Sequence, residues 1–300
     1  MIKGVLTPSI TVFDENKKLN YPANQEHINY LIDSGINGIL FLGSIGEFFA
    51  MEKEEKKEFI SFATESVQKR VPVLIGTGGT VVEEVIELSQ YSAKAGADAV
   101  AIITPYFFQF NEERLYDYYK EIAENVDIDI FLYNFPARSG VNMSPDLIYK
   151  LGRDFDNIVG IKDTMDTISH TREIISQARD NLDEFAVLSG FDEYFLPNLM
   201  AGGDGLIGGL SNVVPSLFAD LYQAYQANDF KTTTILSKKI SILMDIYKVS
   251  EPFFPAIKQA VAVMGRNIEP ICKSPIKSLS SKQVKEIENI IKKAGVVYYS

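Results

Sequence analysis

Lys162 stands inside "VGIKDT" (159–164), a run in which Val159 and Ile161 are apolar and Gly160 is small. A core strand would carry Val or Leu at that position. Burying an unpaired ammonium is costly, and an amine walled in by apolar groups tends to give up its proton. The neutral amine is a nucleophile toward ketones, and the product is a Schiff base. The same residues also permit a structural lysine at a strand end, paired with Asp163 or another carboxylate. Tyr133 ends the preceding apolar run, in "LYNFPARSG" (132–140). Its phenol could pass protons during imine formation and carbon–carbon cleavage, or simply meet a backbone carbonyl. "GSIGE" supplies Ser44 and a glycine-rich turn whose N–H groups suit a carboxylate, although most such turns are only turns. Arg138 could clamp an acidic substrate, or be a solvated loop residue. In "GFDE", Asp192 and Glu193 could bind hydroxyls, or favour the dipole of the helix they open.

No metal chemistry is signalled. Cys272 is the only cysteine and has no neighbouring Cys or His. His27 and His170 lie in helical stretches and read as surface or helix-packing residues. An imine would itself supply the electron withdrawal that metal-dependent enzymes take from an ion, so no cofactor is expected.

Groups so far apart in the chain need a scaffold that gathers strand ends. Short, near-continuous apolar runs start at Gly4, Gly38, Val71, Ala99, Asp129, Ile158, Phe185 and Gly203. Such runs suit parallel strands covered on both faces. Their starts lie roughly 20–35 residues apart, the length of one strand–helix unit. Between them, residues 54–70, 80–97 and 144–154 have helical spacing, with Thr80 and Ser144 as N-caps, Pro145 at the first helical position and Gly96 as a stop. Eight such units predict an α/β fold, a (β/α)8 TIM barrel with chemistry at the C-terminal strand ends. An open doubly wound sheet would want a phosphate-binding glycine fingerprint after the first strand; "GVLTPSITVFDENKK" has none. Residues 1–225 are therefore expected to form the barrel with the active site. Residues 226–300, helical in spacing and joined by no linker, are expected to pack on it as a C-terminal region.

The chain has 300 residues and a formal net charge of −11, which argues against a general nucleic-acid binder. Nor does that charge attract anions from a distance, so local groups must hold an anionic substrate. Apolar runs are too short to span a membrane, and the start lacks the apolar stretch of a signal peptide. With a single cysteine, a reducing, cytoplasmic setting fits.

Taken in order, "GSIGEF" (43–48), "VPVLIGTGGT" (71–80), "LYNFPARSG", "VGIKDT" and "GGDGLIGGLSN" (202–212) resemble the dihydrodipicolinate synthase / N-acetylneuraminate lyase family. These are Schiff-base aldolases that use or release pyruvate. The resemblance implies that Lys162 forms the Schiff base and that Tyr133 transfers protons. It implies that Ser44 and the N–H of Ile45 hold the pyruvate carboxylate, with Ile207 near the pyruvate. It also suggests a homotetramer, with "TPYFF" near a subunit contact.

Departures from the pattern rank the branches. The synthases resemble "GTTGE" and "TPYY"; here Ile45 and Phe107 stand where their relay has hydroxyls. Arg138 matches the arginine by which those synthases hold aspartate semialdehyde. The sialic acid lyases resemble "GSTGE" and "GYDE". "IGTGGT", "LYNFPA" and "GIKDTMD" look most like the 2-keto-3-deoxy sugar-acid aldolases, although those often carry leucine where Arg138 stands. That branch ranks first, the synthase second and the sialic acid lyase third. A barrel that kept the lysine but lost turnover, acting as a binding protein, is the reading from another class.

Overall fold

The computed structural model of the chain describes residues 2–296; the ends of the two expected regions, Met1 and 297–300, lie outside them. Eight strands form one closed parallel barrel in chain order: β1 Gly4–Pro8, β2 Gly38–Phe41, β3 Val73–Gly76, β4 Ala99–Ile103, β5 Asp129–Asn134, β6 Ile158–Asp163, β7 Ala186–Ser189 and β8 Gly205–Ile207. Helices alternate with the strands, so the predicted (β/α)8 barrel is the observed fold. Nearly every strand residue is buried, because each strand is covered on both faces.

The helix expected over 144–154 is Pro145–Asp154, with the Ser144 hydroxyl accepting from the Leu147 N–H. The helix expected over 80–97 is Val82–Ala95, and Gly96 ends it in the left-handed conformation. Its cap is Val81, not Thr80. Starting there puts Glu83 and Glu84 in the first turn, where carboxylates favour the helix dipole. After Ile207 no further strand occurs among the described residues; helices Pro215–Gln226, Phe230–Leu243, Phe254–Val263 and Ser281–Lys293 follow.

The chain divides into two compact units: residues up to Gly4 with Pro72–Ile207, and Val5–Val71 with the residues from Gly208 on. In the first, β4 to β7 bury Ile102, Leu132, Ile161 and Val187 against Leu115, Tyr119, Leu151 and Ile174 of the surrounding helices. One irregularity sets which residues of β5 and β6 face each other. Ile130 pairs with Ile158, but Phe131 pairs with Gly160, so Val159 is an extra residue in β6. Beyond this bulge Leu132 faces Ile161, Tyr133 faces Lys162 and Asn134 faces Asp163. Gly160 has to be glycine here, since a Cβ would lie 2.6 Å from the Phe131 ring and 2.8 Å from the Ala186 carbonyl oxygen. Because side chains alternate along a strand, and Leu132 and Ile161 point to the helices, Tyr133 and Lys162 point to the opposite face.

Candidate active site

Lys162 and Tyr133 are both only 5% exposed. The lysine Nζ lies 4.3 Å from the centroid of the Tyr133 ring, and that ring stacks on Phe135 with centroids 6.1 Å apart. Among the described residues no carboxylate comes within ion-pair distance of Lys162. Asp163, the partner that a structural reading of Lys162 would use, is turned to the other face of β6 and engaged there.

That other face holds a buried polar cluster which the sequence did not announce. Asp163, 1% exposed, accepts from Asn134 Nδ2 at 2.9 Å, His170 Nδ1 at 3.0 Å and Thr171 Oγ1 at 2.7 Å. Burial alone would lower the pKa of His170. The hydrogen bond and charge of Asp163, together with the Met143 carbonyl, outweigh it and raise it above the ordinary value. A signal existed in hindsight: His170 sits one residue short of Thr171 in the first turn of helix Ile168–Asn181, a short loop after Asp163.

The remaining sequence candidates in this unit occupy loops after the strands. Arg138 is exposed on the short helix Pro136–Ser139 that follows β5. Phe107, after β4, is 88% exposed with a backbone φ of 89°, and its ring meets Phe108 edge-on at 5.0 Å. Asp192 is buried and Glu193 exposed in the 3-10 turn Asp192–Tyr194 that follows β7. Ile207 is fully buried as the last residue of β8. Distances bring together only Tyr133 and Lys162 of this set.

In the second unit, Ser44 and Ile45 occupy the turn between β2 and the 3-10 turn Phe48–Ala50. Leu42 and Glu47 flank it with φ of 53° and 59°, and the Thr11 hydroxyl donates to the Gly46 carbonyl at 2.8 Å. Gly209 leaves room beside it, since a Cβ there would lie 2.4 Å from Ile45 Cδ1. Glu47 is fully buried and bonded to an equally buried Lys258, and its second oxygen accepts the Lys273 N–H at 2.8 Å.

The same unit buries His27, at 2% exposure. Asn212 Nδ2 donates to the Pro8 and Gly209 carbonyls, so its Oδ1 must accept from His27 Nε2 at 3.0 Å, which fixes the proton on Nε2. Burial pushes the His27 pKa down to about 4 despite that bond. The unfolded chain therefore takes up a proton that the folded one refuses as pH falls from 6.5 toward 4. Stability present above 6.5 is lost across that window, by about 3 kcal/mol. Denaturation of His27→Gln should show a shallower acid slope than the natural chain; parallel slopes would contradict this.

Among the described residues no group of three or more His, Cys, Asp or Glu could hold a metal ion, and no helix is long and apolar enough to cross a membrane.

Residues 1–294 match the dihydrodipicolinate synthetase family. A putative 2-dehydro-3-deoxy-D-gluconate aldolase, YagE of Escherichia coli K12, is 34% identical over 97% of this chain and 96% of its own length. The 4-hydroxy-tetrahydrodipicolinate synthase of Methanocaldococcus jannaschii is also 34% identical, over 99% of this chain and all of its own. The crystal structure of YagE in complex with pyruvate superposes with a TM-score of 0.97 at 34% identity, covering 99% of this chain and 100% of that one.

Proposed function

The chain belongs to the dihydrodipicolinate synthetase family of pyruvate-dependent lyases and aldolases, and from that premise we propose that it cleaves a 2-keto-3-deoxy sugar acid through a Schiff base on Lys162. The observation that carries this reading is the buried Lys162 amine, without a carboxylate partner among the described residues and 4.3 Å from the Tyr133 ring centroid.

The neutral Lys162 amine attacks the C2 ketone, and loss of water leaves a protonated imine. Tyr133, handing its own proton on through Ser44 or to the substrate carboxylate, takes the proton of the C4 hydroxyl. The C3–C4 bond breaks, its electron pair moving into the imine to give an enamine, and C4 departs as an aldehyde. Protonation at C3 and hydrolysis release pyruvate and restore the amine. In the synthetic direction the same enamine attacks an aldehyde. Ser44 and the Ile45 N–H hold the pyruvate carboxylate and Ile207 lies beside the pyruvate. Asp192 and Glu193 take substrate hydroxyls, and Phe107 borders the entrance. No cofactor is invoked.

Arg138 supports a second reading, condensation of pyruvate with aspartate semialdehyde, because an exposed guanidinium after β5 suits a substrate carboxylate. The two readings separate on a pyruvate-release assay over 2-keto-3-deoxygluconate, 2-keto-3-deoxygalactonate and N-acetylneuraminate, run beside the condensation reaction. Sugar-acid cleavage that survives Arg138→Leu is expected; condensation that exists and collapses in that variant reverses the ranking. Borohydride with pyruvate should add one reduced pyruvate to the peptide holding Lys162. A chain that fails to trap is the binding homologue rather than the enzyme.

A further inference from the structure

The bonds around Asp163 close into a ring. Asn134 Nδ2 donates to Asp163 Oδ1 at 2.9 Å, and His170 Nδ1 to Asp163 Oδ2 at 3.0 Å. His170 Nε2 donates to the Met143 carbonyl at 2.9 Å, and the Met143 N–H returns to Asn134 Oδ1 at 3.1 Å. A carbonyl only accepts, and so does an ionised carboxylate. Both ring nitrogens of His170 therefore carry hydrogen, and the side chain is an imidazolium. The charged groups that face it are Asp163 from β6 and Glu173 on its own helix; β5 and the loop after it present only the amides of Asn134 and Asn142 and the Met143 backbone. Its proton is thus held by one buried carboxylate and one carbonyl.

The ring's place in the register gives it a role. Asn134 and Asp163 are paired residues, each immediately after the reacting pair Tyr133 and Lys162. The backbone ladder beyond the Val159 bulge ends at this pair, and the bond between the two side chains ties the strands at that end, beside the chemistry. We propose that protonated His170 is a positioning residue which, through Asp163 and Asn134, holds Lys162 and Tyr133 in register for proton transfer. This rests on Lys162 and Tyr133 being the reacting groups. When His170 loses its proton, Asp163 loses a charge-assisted donor and the pinning bond weakens.

The chain has two histidines, so imidazole NMR of the whole protein labelled at histidine resolves both. One resonance should titrate near 4, for His27. The other, absent in His170→Gln, should remain an imidazolium above pH 6.5. The kcat of the natural enzyme should fall on the alkaline side with the same midpoint. In His170→Gln that limb should be absent and kcat lowered on the order of 10–100-fold at neutral pH, with KM little changed. Asn134→Ala, which removes the pin, should lower kcat likewise and flatten the alkaline limb, while the His170 resonance still titrates above 6.5. A His170 resonance titrating at or below 6.5 overturns the proposal, as does a His170→Gln pH profile that overlays the natural one. Absence of borohydride trapping in the natural chain would instead sink the Schiff-base reading, and the NMR titration would still judge the charge on His170.

Discussion

Replacing Lys258 with methionine is expected to lower the unfolding free energy by about 3–5 kcal/mol, the cost of leaving a buried carboxylate without its counter-ion. Lys258 and Glu47 are both fully buried. The lysine also donates to the Ile271 carbonyl at 2.8 Å, and the other Glu47 oxygen accepts the Lys273 N–H. Removing the ammonium strands a negative charge and a carbonyl at once. Glu47→Gln combined with Lys258→Met removes the stranded charge, and should recover part of the loss. Full recovery is not expected, because the Ile271 carbonyl stays without its donor. Urea denaturation at neutral pH is the measurement; a single-variant loss below about 1 kcal/mol would mean that the pair is reached by water. The effect should not stop at stability. Glu47 closes the turn that carries Ser44 and Ile45, in a left-handed conformation held by these bonds. In the single variant KM for the keto acid should therefore rise even where the protein remains folded.

Tyr133→Phe is expected to cut kcat by about 10²–10⁴, the range lost with a positioned proton carrier. The change is a narrow one. A phenylalanine keeps the stacking on Phe135 and the ring face below the Lys162 amine, and the backbone pairing of residue 133 with Lys162 stays in place. Stability should shift by well under the cost of a core truncation, and borohydride should still trap pyruvate on Lys162, more slowly. A variant within tenfold of the natural rate would remove Tyr133 from the proton path. Loss of trapping together with stability would mean that the hydroxyl is structural.

Sequence patterning reveals this fold readily because strands buried on both faces leave unbroken apolar runs, and the seven helical connections between strands give those runs an even spacing. Where a boundary slips, a local preference is responsible: the helix predicted from Thr80 starts at Val82, with its acidic pair in the first turn. Lys162 is visible for the opposite reason, since a charge inside an apolar run contradicts its surroundings. Tyr133 is visible because it ends its own run. Their pairing is not, since an apolar strand has no alternation that would betray one inserted residue such as Val159. The two histidines illustrate a further limit. Both read as surface or helix-packing residues and both are buried, yet their charges are set oppositely: burial holds His27 neutral despite its bond to the distant Asn212, while Asp163 and the Met143 carbonyl hold the proton on His170. Helical periodicity carries no information about such partners.

The inserted Val159 ties chemistry to arithmetic. Counting back from Lys162, an odd or even number of residues to the start of β6 decides whether the amine emerges among the barrel's inner side chains or among the aliphatic groups under the helices. Segments grafted into β6 ahead of the lysine are thus interchangeable when their lengths differ by two, and incompatible when they differ by one. The parity of a short stretch of backbone, as much as the identity of any side chain, separates a nucleophile from a misplaced charge.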